Sequence, residues 1–80
     1  MSSPEGPAKL AYMASQIARF FESQGDGRAA EATRDHLKSF WSPAMRREIA
    51  AHLAAGGEGL SPVAARAVAL LAPAAPAAAP

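Results

Sequence analysis

Cysteine is absent from the 80 residues. That one absence excludes disulfide staples, thiolate-held zinc and protein-ligated iron–sulfur clusters. Aromatics are scarce, with three Phe, one Tyr and one Trp. An excess of either charge is also missing: eight basic residues face seven acidic ones, the net charge is +1, and the signs alternate along the chain. Proteins that grip nucleic acid through its phosphates usually show a basic face, so nucleic acid is not an expected partner. No apolar run approaches the ~20 residues that cross a bilayer. The opening Met-Ser-Ser-Pro-Glu-Gly-Pro lacks the basic start and apolar core of a secretory signal. The expectation is a cytoplasmic chain that does not engage membranes. Nowhere does apolar and polar character alternate in the manner of a strand. The fold class expected is all-α.

What is present is alanine. Half of the chain is hydrophobic, yet 22 residues are Ala and contribute little burial each. The large apolar side chains fall almost wholly between Leu10 and Leu71. A folded unit of roughly 60 residues with so thin a core is marginally stable alone, and burial shared with a partner is the natural remedy. The division expected is a disordered lead over residues 1–7, a helical domain over 8–72, and a disordered Pro/Ala tail over 73–80, where a Pro recurs every three or four residues.

Within the domain, punctuation marks three to four short helices. The first runs from about Ala8 to Ser23, with Leu10, Met13, Ala14, Ile17, Phe20 and Phe21 as its apolar stripe. Gln24-Gly25-Asp26-Gly27 makes a turn. The second, Arg28 to Phe40, gathers Ala29, Ala32, Thr33, His36, Leu37 and Phe40 on one side. Ser42-Pro43 stops it and starts a third helix to about Ala55, along which Met45, Ile49 and Leu53 stack. Gly56-Gly57 closes that helix, and Ser61-Pro62 repeats the start signal for a fourth, lined by Val63, Ala67, Leu70 and Leu71. Aromatic side chains bring the most burial, so Phe40 is expected to pack on Phe20 or Phe21 and on Ile49.

No catalytic or metal-binding constellation emerges. The two imidazoles, His36 and His52, lack metal-ligand spacing, and both are expected as partly buried histidines hydrogen-bonded to a neighbouring helix. The serines occupy tails, caps and turns, with no nucleophile elbow around them. Neither Gly25-Asp26-Gly27 nor Gly56-Gly57-Glu58-Gly59 has the Lys and Ser/Thr of a phosphate loop. Two features suit a partner instead. Tyr12, Gln16 and Arg19 form a second face on the first helix, a mixture favoured at interfaces, although an ordinary exposed Tyr reads the same way. Arg46 and Arg47 sit near the positive end of the third helix, where cations are disfavoured. A partner's carboxylates would compensate them; solvation beside Glu48 is the simpler alternative, and a DNA-reading helix-turn-helix fits the two-residue break and near-zero net charge poorly.

The same residues carry a resemblance. Met13-Ala14-Ser15-Gln16-Ile17-Ala18-Arg19-Phe20-Phe21 and, further on, His36-Leu37-Lys38-Ser39-Phe40-Trp41-Ser42-Pro43-Ala44-Met45-Arg46 resemble the recurring pattern of the delta subunits of soluble NAD-dependent formate dehydrogenases. Ser15 stands where that family usually has Asn. Leu60 to Leu71 is similar to the family's C-terminal helix. The resemblance implies a small helical accessory subunit without catalytic residues. Its partners would be the catalytic alpha subunit and the associated subunits, which hold the bis-pterin molybdenum or tungsten cofactor, iron–sulfur clusters, FMN and NAD. It would bind and stabilise that complex or help to assemble it, through Tyr12, Gln16, Arg19, Trp41, Arg46 and Arg47. The alternative from another class is a free-standing or self-associating helical regulatory module.

Overall fold

The computed structural model describes residues 6–25 and 27–71. They form four α-helices: α1 Gly6–Glu22, α2 Ala29–Phe40, α3 Pro43–Ala54 and α4 Pro62–Leu71. No strand occurs among the described residues, and the all-α expectation holds. Helix α1 begins at Gly6, two residues ahead of the expected start. The expected Pro/Ala tail and residues 1–5 of the expected lead lie outside the described residues.

The α2–α3 junction follows from two residues. Pro43 disfavours helical backbone in the residue before it, so Ser42 is extended, with ψ of 161°. Trp41 is extended too, with ψ of 142°. The Ser42 hydroxyl then accepts from the Met45 amide at 3.2 Å and caps α3. At the far end of α3, Gly57 adopts a left-handed φ of 65° and its amide donates to the His52 carbonyl at 2.9 Å, closing the helix.

Helices α1 and α4 are the shared pair, each packed against the other three helices, whereas α2 and α3 barely meet. The buried stripes are not centred on the bulkiest residues. On α1 the fully buried positions include Ala11, Ala14 and Ala18, with Leu10 beside them and Met13 and Ile17 at the margin. On α2 the stripe is Ala30, Thr33, Leu37 and then Trp41; on α4 it is Ala64, Ala67 and Val68. Only on α3 does the expected row stand, with Ile49 buried and Met45 and Leu53 packed against the core. Alanine at a helix crossing lets two backbones approach closely, and close packing of the whole surface outweighs burial of one large ring.

Three expectations are corrected by this geometry. Phe40 does not enter the core: it is 73% exposed, and Phe20 is 60% exposed. Leu70, expected along the buried side of α4, is exposed as well. Trp41, expected at a partner surface, is turned inward and only 6% exposed. The extended backbone at Trp41 places its indole in register with Thr33 and Leu37, which leaves Phe40 pointing outward.

The α3–α4 loop is held from both sides. His52 Nε2 donates to the Glu58 carbonyl at 2.7 Å, which fixes the tautomer because a carbonyl can only accept. Ser15 of α1 donates to the Gly59 carbonyl at 3.1 Å and accepts from the Ser61 amide at 3.0 Å. Ser61 in turn caps α4 by accepting from the Ala64 amide at 3.2 Å. One hydroxyl therefore couples α1 to the start of α4.

Candidate functional site

The aromatics that miss the core assemble on the surface. Phe20 and Phe21 meet edge to face with ring centroids 5.2 Å apart. Phe21 meets His36 at 6.3 Å, and His36 lies 4.6 Å from Phe40. The order Phe20–Phe21–His36–Phe40 thus runs from α1 across to α2 as one continuous surface of rings. Its elements explain it: positions 20 and 21 end α1, and positions 36 and 40 are one turn apart on α2. His36 makes ring contacts instead of the expected hydrogen bond to a neighbouring helix, and the His52 bond goes to the loop rather than to a helix.

Between these rings lies a depression of about 290 Å³ lined by Gln16, Ile17, Phe20, Phe21 and His36. Four of the five lining side chains carry apolar or aromatic surface. A second, more polar depression of about 420 Å³ lies alongside, lined by Tyr12, Ser15, Gln16, Arg19, Glu22 and Ser61. Gln16 is common to both and joins them into one surface. Its amide nitrogen donates to the Tyr12 hydroxyl at 3.0 Å, which orients the phenol, and Tyr12 is 64% exposed. Tyr12, Gln16 and Arg19, read from sequence as an interface face, are brought together here with Tyr12 and Arg19 in the same depression.

Arg46 and Arg47 lie elsewhere, in the first turns of α3. Arg47 is exposed. Arg46 is half-buried, and its Nε is sealed from solvent without an acceptor among the described residues. A buried N–H of this kind is rare in folded proteins and leaves a cationic donor unmatched. Neither arginine is among the residues that line the two depressions.

Among the described residues no cluster of three or more His, Asp or Glu could hold a metal ion, and the chain has no cysteine to offer a metal–sulfur centre. No helix is long and apolar enough to cross a membrane. Sequence reasoning missed Phe20 and Phe40 as exposed groups because it assigned large aromatics to the core, while Phe21 is half-buried and His36 is partly buried as expected. The signal that could have found Phe40 was the row Thr33, Leu37, Trp41, whose spacing of four leaves that residue on an adjoining face.

The sequence profile of the family described as NADH-dependent formate dehydrogenase delta subunit FdsD matches residues 9–68. That span takes in all of the exposed aromatics, both depressions and the two arginines of α3. No curated protein and no solved structure matches the chain.

Proposed function

From the premise that this chain belongs to the FdsD family of NADH-dependent formate dehydrogenase delta subunits, we propose that it is a non-catalytic accessory subunit. It binds the other subunits of a formate dehydrogenase complex and stabilises them or helps to assemble them. The observation that carries this reading is the outward display of Phe20 and Phe40 in a chain with only five aromatics. A domain of this size that kept its rings for its own core would be more stable, so their exposure favours a second surface to cover them.

On this reading the redox centres and the NAD site belong to the larger partners. Thiolates are the ligands of iron–sulfur clusters, and this chain has none. Its contribution to formate oxidation is indirect, through the integrity of the catalytic alpha subunit and its neighbours in the cytoplasm. Arg46 and Arg47 form a further contact, in which their guanidinium groups meet partner carboxylates.

The test is removal of the chain from cells that make the complex. Formate-dependent NAD reduction and the recovery of the alpha subunit on purification should both fall, and re-expression of the chain should restore both. Unchanged recovery and activity without the chain would refute the accessory role.

A further inference from the structure

The outward surface of α1 has a charge pattern as well as an apolar one. Lys9, Met13, Gln16 and Phe20 follow each other at helical spacing, and Tyr12, Gln16 and Arg19 make the adjoining row. Both charged residues in these rows are cations, and both are exposed. Neither is engaged in an ion pair: the Arg34–Asp35 contact at 2.6 Å is the ion pair seen among the described residues. Glu22, the one carboxylate of α1, lines the same polar depression as Arg19 from three residues further along the helix, so this surface carries two cations against one carboxylate. On α2, Asp35 is already matched by Arg34, and the remaining group facing the rings is His36.

Resting on the accessory-subunit reading, we propose that this surface docks an acidic amphipathic segment of another subunit. One large apolar side chain of that segment fills the depression between Phe20, Phe21 and His36, and its carboxylates meet Lys9 and Arg19. The depression of about 290 Å³ suits one or two side chains and not a whole helix, so the segment lies across the surface with a single anchor inserted. Aromatic depressions that an anchor side chain fills and desolvates on binding are where binding energy concentrates. The charges also favour an acidic partner over a second copy of this chain as occupant. The face carries Lys9 and Arg19 against the one carboxylate Glu22, so a mate would bring the same positive excess, whereas an acidic segment neutralises it.

The experiment co-expresses the full chain, tagged, with the other formate dehydrogenase subunits, and measures subunit capture and its salt dependence. Three forms are compared: the unchanged chain, Phe20→Ser with Phe40→Ser, and Lys9→Glu with Arg19→Glu. All four positions are exposed, and circular dichroism of each form verifies the helical fold. The aromatic pair should weaken capture on the order of tenfold or more, the loss typical of central anchors. The charge reversal should weaken capture at low salt and flatten its salt dependence. Capture that survives the aromatic changes would overturn the proposal while the accessory role stands. Failure of the unchanged chain to capture any subunit would remove the accessory role and this docking surface with it. Sedimentation of the purified chain supplies the last arm: a dimer abolished by the aromatic changes would make a second copy the occupant and overturn the acidic segment.

Discussion

Leu37 and Phe40 stand three residues apart on α2, and replacing each with Ala separates a core residue from a surface one. Leu37 is 0% exposed. Its truncation removes the side chain's transfer energy and leaves a cavity, together about 2–5 kcal/mol. A domain of this size rarely has more than ~3–5 kcal/mol in total, so Leu37→Ala should leave the chain largely unfolded. Phe40 is the opposite case. With 73% of it exposed, only about 50 Å² of the roughly 200 Å² that a Phe can bury is covered. At ~25 cal/mol per Å² that cover is worth about 1.3 kcal/mol. Alanine is the better helix former by about half a kcal/mol, which offsets part of the loss. The net cost of Phe40→Ala is therefore under ~1 kcal/mol, a fall in melting temperature of no more than ~4–8 °C. Thermal melts of the three forms by far-ultraviolet circular dichroism read both effects. A Phe40→Ala melt as low or as uncooperative as that of Leu37→Ala would refute the surface placement of Phe40. It would also restore the expectation, drawn from sequence, that this ring is the keystone of the core.

Thr33 is fully buried with its hydroxyl unpartnered among the described residues; Thr33→Val keeps the shape and removes the unmatched group, and should stabilise by about 1 kcal/mol, read as a higher melting temperature. Ser15→Ala should cost about 1–2 kcal/mol by stranding the half-buried Ser61 amide. Hydrogen exchange at Ser61 should accelerate, while Ser15→Asn, with a donor and an acceptor of its own, should preserve protection; an unchanged exchange rate in the Ala variant would show that the bond holds nothing. Gly57→Ala meets both a left-handed φ of 65° and a Cβ 3.0 Å from Leu53 Cδ1, whereas Gly25→Ala, at a φ of 74°, has open space around it. Both bear the backbone cost of ~1–2 kcal/mol, and denaturant titration should find Gly57→Ala the more damaging of the two.

The helices were legible because their signals are local. Ser42-Pro43, Gly56-Gly57 and Ser61-Pro62 act within one turn of backbone, and the structure starts α3 and α4 at their prolines and ends α3 two residues before the glycine pair. The face Tyr12, Gln16 and Arg19 was legible for the same reason, since residues three and four apart on a helix must be neighbours. Which face turns inward is a different kind of question. A hydrophobic count ranks Phe20 and Phe40 above Ala11, Ala14 and Ala18, yet the alanines are buried and the phenylalanines are not. Packing density is a property of pairs of surfaces, and α1 can sit close to its neighbours only where its own side chains are small. Trp41 shows the same limit: its burial depends on two extended residues that aim one ring at Leu37 and release the other to solvent. Sequence alone determined an all-α chain of three to four short helices, the punctuation that separates them and the absence of thiolate chemistry. Tertiary packing decided the rest, by using alanine for contact between helices and leaving the aromatic rings outside.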